Sequence, residues 1–247
     1  MTYAKYSASG NDFVIFHSFV EKDFTQDAIA LCNRTQGIGA DGFVALLPSN
    51  KADFRWKFYN SDGSVAAMCG NATRAVAHYA YNNNLAPSKM RFLTDAGIIE
   101  SQIVSDNVVK TQMPQPKVIK DQFTQEGLTW YLIDTGVPHL VTFVENLDKF
   151  DEKLCAKMRY EHNANVNFAK IENQTIKVRT YERGVEGETL ACGTGMVASF
   201  LRAQNLGLIK DKALIYPKSN EELIVSTSNG KIYFQGAVKK VFTANIE

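Results

Sequence analysis

No stretch of this sequence approaches the roughly 20 consecutive apolar residues that a membrane-spanning helix takes. The opening Met1-Thr2-Tyr3-Ala4-Lys5-Tyr6 lacks the charged-then-apolar layout of a signal peptide. A cytoplasmic location is therefore expected, and with it a compartment that keeps thiols reduced. Net charge is almost absent: 27 Lys and Arg face 26 Asp and Glu, which leaves +1. Both signs are mixed along the chain, so there is no basic footprint for nucleic acid or for an anionic membrane. Cysteine is scarce, with four in 247 residues, and no CxxC pair or His/Cys cluster has zinc-ligand spacing. Neither a metal site nor a disulfide scaffold is expected. Low-complexity tracts and short repeats are also missing. What is present is the composition of a soluble globular protein, 45% hydrophobic and 21% charged. The length suits one large domain or two of ordinary size, with room for a sizeable core.

The few cysteines are placed in register. Cys69 and Cys192 are 123 residues apart, and so are Cys32 and Cys155. The first pair lies in Cys69-Gly70-Asn71-Ala72-Thr73 and Cys192-Gly193-Thr194-Gly195, the second in Leu31-Cys32-Asn33-Arg34 and Leu154-Cys155-Ala156-Lys157. Such a register suggests an ancient duplication with one Cys-Gly turn per half. The pattern along the chain agrees. Phe13-Val14-Ile15-Phe16 reads as a strand and Asp27–Cys32 as a helix. Phe43–Leu47 and Arg55–Tyr59 read as strands, the latter by alternation. The cysteine loop and a helix from about Ala72 to Tyr81 follow, ended by Asn82-Asn83-Asn84 and Pro87, and then two or three strands. Met113-Pro114-Gln115-Pro116 marks a boundary. The second half repeats the order: Leu140–Phe143, a helix over Asp151–Met158, strands at Val166–Phe168 and Ile176–Arg179, the second cysteine loop, and a helix from about Gly195 to Gln204. Two domains are expected, 1–115 joined by a C-terminal strand 237–247, and 116–236.

Asn71 and Thr194 each stand two residues after a cysteine and are good helix N-caps. Each thiol is therefore expected just ahead of a helix. The first N–H groups of a helix have no internal acceptor and carry partial positive charge. Such an end lowers the pKa of a nearby cysteine and binds a carboxylate. Gly70 and Gly193, with no Cβ, let backbone and ligand approach closely. An isolated cytosolic cysteine is usually a small buried hydrophobe. That description suits Cys32 and Cys155, on the apolar faces of expected helices. It does not suit Cys69 and Cys192, which sit in glycine loops at equivalent places of a repeat. Two thiols on opposite faces of a carbon can move its proton from one side to the other.

Several segments together resemble the diaminopimelate epimerase family over nearly the whole chain. They are Ser9-Gly10-Asn11-Asp12-Phe13, Gly37-Ile38-Gly39-Ala40-Asp41-Gly42, Tyr59-Asn60-Ser61-Asp62-Gly63-Ser64 leading to Cys69-Gly70-Asn71, Tyr181-Glu182-Arg183-Gly184 with Glu188-Thr189, and Ala191-Cys192-Gly193-Thr194-Gly195. The resemblance implies an α/β fold of two pseudo-twofold-related domains. Each is a mostly antiparallel sheet or barrel wrapped around a central helix, with the active site in the cleft between them. It implies epimerisation of LL-diaminopimelate to the meso form, on the way to lysine and, in many bacteria, peptidoglycan. No pyridoxal phosphate, other cofactor or metal is needed. Carried over residue by residue, Cys192 accepts the proton from the L centre and Cys69 donates one to the other face. His139 and Glu182 modulate the thiols. Asn11, Asn60, Gly70, Asn71, Asn165, Glu182, Arg183, Gly193 and Thr194 contact the substrate. Arginine offers a two-pronged fork for a carboxylate, and asparagine both accepts from an ammonium and donates to a carboxylate. The family often has Asn where this chain has Val137, and some members have Gln in place of Gly42, so contacts to the substrate differ there.

Two rivals share part of this signature. A proline racemase or hydroxyproline epimerase also uses two thiols, but Arg183, Asn60 and Asn165 favour a longer substrate with a second charged end. A thiol redox protein would pair Cys69 with Cys192, but redox pairs are usually local CxxC motifs. The expected partner is a small amino acid, with no nucleic acid or membrane, and a homodimer is compatible with the sequence.

Overall fold

Continuous apolar runs near the N terminus produce strands buried on both faces, which is the pattern of strands covered by helices on either side. The computed structural model describes residues 1–246. It divides into two compact units, Met1–Gln112 with the segment from Gln235 onward, and Met113–Phe234.

The first unit opens with β1 (Thr2–Ala8) and β2 (Asn11–His17), an antiparallel hairpin. Helix α1 (Thr25–Cys32) then leads to β3 (Gly42–Leu47), parallel to β2, and β4 (Phe54–Asn60) returns antiparallel to β3. Helix α2 (Gly70–Asn82) leads to β5 (Lys89–Thr94), parallel to β4. Hairpin strands β6 (Gly97–Ser105) and β7 (Val108–Met113) follow. Parallel neighbours need a crossover, and a helix supplies it each time. Alternation assigns the two faces of the sheet. Phe13, Ile15, Val44 and Leu46 join one core cluster with α2, whereas Val14, Phe16, Phe43, Ala45 and Leu47 join another with Ala28, Leu31 and Cys32 of α1. Helix α2 is buried from Gly70 to Ala80. Its alanines at 72, 75, 77 and 80 have almost no side-chain bulk, so the strands close tightly around it.

The second unit holds β8 (Lys117–Gln125), β9 (Leu128–Asp134) and β10 (Pro138–Phe143), each antiparallel to the next. Helix α3 (Glu152–His162) is capped by Asp151, whose side chain accepts from the Leu154 N–H at 2.8 Å. It leads to β11 (Asn165–Glu172), parallel to β10, and β12 (Thr175–Glu182) runs antiparallel to β11. The short β13 (Gly187–Thr189) pairs with the end of β12. Helix α4 (Gly193–Asn205) leads to β14 (Lys212–Tyr216), parallel to β12, followed by antiparallel β15 (Leu223–Ser228). Along β16 (Lys231–Ala237) the chain passes back to the first unit, where β17 (Lys239–Asn245) lies antiparallel to β1. Of the expected closing segment 237–247, Glu247 lies outside the described residues.

The two units share one topology. β1-β2-β3-β4-β5-β6 and β9-β10-β11-β12-β14-β15 pair with the same sequence of parallel and antiparallel neighbours. α2 and α4 occupy equivalent crossovers, and each is preceded by one Cys-Gly turn. Strands β1, β8 and β9 lie outside the strands expected from the sequence. In β1 a central lysine breaks the apolar pattern. Lys5 is buried, and its ammonium is 2.8 Å from Asp12.

Candidate active site

Both helices begin earlier than the sequence suggests, and the difference matters for the chemistry. Asn71 and Thr194 are expected as N-caps, but the helices start at Gly70 and Gly193 and the capping position is the cysteine itself. Cys69 has φ −148° and ψ 122°, and Cys192 has φ −123° and ψ 106°. This extended backbone lets each cysteine carbonyl accept the first helical hydrogen bond, from Thr73 N–H at 2.9 Å and Met196 N–H at 3.0 Å. Asn71 and Thr194 do not cap because their side chains are committed to tertiary partners. Each sulfur is thus carried by the residue that opens the helix, beside the N–H groups that lack a helical acceptor. Cys69 is half-buried, and Cys192 is buried.

In the first unit a chain of polar groups leads away from Gly70. Asn71 Nδ2 donates to Asn11 Oδ1 at 2.8 Å, and Asn71 Oδ1 accepts from Arg74 Nη2 at 2.7 Å. Arg74 is fully buried and also donates to Ser9 Oγ at 2.6 Å. Asn11 Nδ2 donates to Asp41 Oδ2 at 3.2 Å, and Arg34 bridges Asp41 and Asp12. Burial opposes ionisation of Asp12. Hydrogen bonds from Arg34 and Lys5 outweigh it and bring the carboxyl down to about 2. Asn60 is exposed at the end of β4 and donates to Ser64 Oγ at 2.9 Å. Gly42 starts β3 opposite Asn60. A Cβ there would lie 2.5 Å from the Phe58 ring, so this chain fills with Phe58 the space in which a side chain would stand.

In the second unit the residues named from the sequence converge. His139 on β10 is in register with Asn165 on β11. His139 is fully buried, and burial, with a smaller contribution from the Arg183 charge, brings its pKa down to about 3. The ring is therefore neutral at physiological pH. Its Nε2 lies 2.8 Å from Thr194 Oγ1, which lies 3.6 Å from Cys192 Sγ. Asn165 Oδ1 accepts from the Arg183 backbone N–H at 2.7 Å. Arg183 Nη1 donates to the carbonyl and side-chain oxygens of Asn163, at 3.0 and 3.1 Å. Burial raises the pKa of Glu182, partly offset by the Thr189 hydroxyl. Glu188, next to Thr189, is a buried anchor instead, held by Arg179 at 2.7 Å and Lys218 at 2.6 Å.

Two residues essential to this geometry were not among those singled out from the sequence. Asn167 lies two positions from Asn165 on the same face of β11, and its Nδ2 is 3.1 Å from His139 Nδ1. The signal was the two-residue spacing along a strand. Arg74 lies three residues after Asn71, on the same helix face. Gly195 makes room for the cluster, since a Cβ there would overlap Asn167 Oδ1 and come within 3.2 Å of His139 Nδ1. Cys32 and Cys155 take no part. Both are buried, and desolvation pushes their thiols up to about 12.

The family model described as diaminopimelate epimerase matches residues 3–119 and 131–241. A protein of that name from a Nitratiruptor species is 55% identical over 243 residues, covering 98% of this chain and 97% of its own. Another, from Campylobacter jejuni subsp. jejuni serotype O:2, is 52% identical over 246 residues, covering 99% and 98%. Among solved structures, a hydroxyproline epimerase from Agrobacterium vitis with bound trans-4-hydroxy-L-proline superposes with a TM-score of 0.75. It is 15% identical and covers 99% of this chain and 91% of its own, which speaks for the fold alone. The family model and these two relatives, over nearly the whole chain, define an isomerase, with a helix-opening thiol in each of its two like units. The chain belongs to the diaminopimelate epimerase family. No helix among the described residues is long and apolar enough to cross a membrane.

Proposed function

We propose that this enzyme interconverts LL-2,6-diaminopimelate and the meso isomer with two thiols, Cys192 and Cys69, and without an organic cofactor or metal. The observation that carries the reading is the equivalence of the two cysteines. Each is the capping residue of a buried helix at the same point of a repeated topology. The identity to proteins named diaminopimelate epimerase supports the substrate.

In the forward direction Cys192 is a thiolate and Cys69 a thiol. The Cys192 sulfur takes the α-proton from the L centre, and Cys69 gives its proton to the opposite face of the same carbon. One C–H bond breaks and one forms. The two sulfurs exchange protonation states, and the reverse reaction resets them. One shared proton suits such a pair, because two neighbouring thiolates repel and titrate as a unit.

The difficult part is the carbanion-like charge that develops beside the α-carboxylate. The opening N–H groups of α2 and α4 are fixed dipoles suited to an anion, and they need no reorganisation as the charge grows. Asn11, Asn60, Asn71 and Asn165 supply donors and acceptors for the amino acid, and Arg183 a guanidinium for a carboxylate. Neutral His139 acts on Cys192 through Thr194 rather than as a base. Half-buried Glu182 adds a carboxyl that is more readily protonated than usual. The reaction serves lysine formation, with a cytoplasmic location and a monomer or homodimer as the working form.

The test is incubation with LL-diaminopimelate in deuterated water, resolving stereoisomers and following deuterium at the α-carbon. The expected result is the meso isomer with one α-deuteron, and no exchange into proline or 4-hydroxyproline. Exchange into proline instead would make this a racemase of cyclic amino acids. No exchange into any of the three would reject proton transfer altogether.

A further inference from the structure

We infer that Asn167 is a positioning residue for the proton transfer: it fixes which nitrogen of His139 carries the proton, and so turns the Thr194 hydroxyl towards Cys192. The inference rests on the reading of Cys192 as a proton-transferring thiol.

The orientation of the Asn167 amide is forced by its partners. One end lies 2.8 Å from the backbone carbonyl of Leu140. A carbonyl only accepts, so that end is the nitrogen. The other end is then the oxygen, and it accepts from Thr180 Oγ1 at 2.9 Å. Asn167 is fully buried, so no water substitutes for these bonds. The second hydrogen of the amide nitrogen meets His139 Nδ1 at 3.1 Å. A donor facing Nδ1 requires a lone pair there. The ring is neutral, so its single proton must sit on Nε2.

From that assignment the rest follows along the chain of contacts. Nε2–H donates to Thr194 Oγ1 at 2.8 Å. The oxygen has accepted, and the one hydroxyl hydrogen of Thr194 is left to point at Cys192 Sγ, 3.6 Å away. A donor aimed at sulfur favours the thiolate over the thiol. The opposite tautomer would leave Nε2 bare, draw the Thr194 hydrogen to the ring and take it from the sulfur. Asn165 makes the only competing claim on Nε2 among the contacts described. Its Nδ2 is 3.4 Å from Nε2, at the weak end of hydrogen bonding, against 3.1 Å for Asn167 on Nδ1. With Nε2 protonated, the Asn165 amide is not held by the ring and keeps its hydrogens for the substrate.

The tautomer can be read directly. Two-bond ¹H–¹⁵N correlation spectra of protein labelled in histidine distinguish a neutral Nε2–H ring from a neutral Nδ1–H ring. The wild type is expected to show His139 as neutral Nε2–H, and a neutral Nδ1–H ring would overturn the inference with no variant needed. Asn167→Asp keeps the size and the acceptor for Thr180 but presents only acceptors to the ring. It should move the proton to Nδ1, or protonate both nitrogens, and lower kcat at least tenfold with KM changed less than threefold. Wild-type kcat in this variant would also overturn the inference. Should Asn167→Asp not fold, Thr194 gives the second reading. Thr194→Ser, which retains a hydroxyl, should be at least tenfold more active than Thr194→Val, while the ring stays Nε2–H in both. Equal activity of the two would remove the hydroxyl from the path and overturn the inference. The underlying reading fails separately, through full epimerisation by Cys192→Ala, and the ring assignment does not depend on that result.

Discussion

Arg34 donates one hydrogen bond to each carboxylate oxygen of Asp12, both at 3.0 Å, from 22 residues further along the chain. With Lys5 at 2.8 Å, this clamp fixes the start of β2, where Asn11 reaches Asn71. The folded carboxyl, at about 2, lies below its ordinary value of 3.8. A carboxyl lowered by folding stabilises the protein above its unfolded value and ceases to do so as pH falls through the folded one. The contribution, about 2 kcal/mol at most, should be complete above about pH 4 and vanish near pH 2. Urea unfolding of wild type and Asp12→Asn should show a gap of about 1–2 kcal/mol at pH 6 that narrows below pH 4 and closes as pH falls through about 2. A gap independent of pH would deny the clamp its charge.

Cys69→Ala and Cys192→Ala should each abolish epimerisation while the melting transition persists. Serine should also fail, because a hydroxyl is a poor base at neutral pH. Cys32→Ser and Cys155→Ser remove thiols that play no part in the chemistry, so turnover per folded molecule should be nearly intact. Stability should fall by about 1–3 kcal/mol, since each places a hydroxyl in an apolar core. Chiral chromatography of the products, normalised to folded protein, separates the two pairs. Full turnover by Cys192→Ala would end the two-thiol mechanism.

Gly195→Ala adds one methyl group against Asn167 and His139. Neither neighbour can yield, because Asn167 is held by Leu140 and Thr180. Overpacking of this kind costs about 1–3 kcal/mol. The variant should melt several degrees lower and lose turnover beyond what its unfolded fraction accounts for. Gly207→Ala is the control for activity. It has φ 73° and nothing within 4 Å of an added Cβ, so backbone strain lowers its stability while turnover per folded molecule is retained.

Arg183→Lys keeps the charge and loses the planar fork. It also loses the two bonds to Asn163 that aim the guanidinium. Catalytic efficiency should drop at least tenfold, about 1.4 kcal/mol. A change below twofold, measured as kcat/KM on LL-diaminopimelate, would place Arg183 outside the substrate contacts.

The elements flanking the cysteines were legible because several signals coincide there. A glycine, a run of small apolar residues and an asparagine terminator mark α2, and α4 follows the same plan. The helix starts were misplaced by two residues. Asparagine and threonine usually cap, but here Asn71 is turned to Asn11 and Arg74, and Thr194 to His139. The apolar helix faces that carry Cys32 and Cys155 lie in the cores, as their sequence pattern predicts. The spacing of Asn167 from Asn165 puts both on one face of β11, but sequence alone does not show what that face meets. His139, one strand away on β10, gives it meaning only after β10 and β11 are paired. β1 was missed for a related reason. Lys5 breaks the apolar run, and the Asp12 that neutralises it is found on the neighbouring strand.

The path of β17 sets an order of events during synthesis. The first unit is largely encoded before residue 113, yet its sheet lacks an edge partner for β1 until Lys239–Asn245 emerge. The Ala237 carbonyl, 3.4 Å from the buried Arg74 guanidinium, arrives equally late. The second unit, whose residues run unbroken from Met113 to Phe234, is complete before that. The half that begins second is therefore contiguous in sequence, whereas the half that begins first depends for its β1 edge on a strand more than 230 residues away.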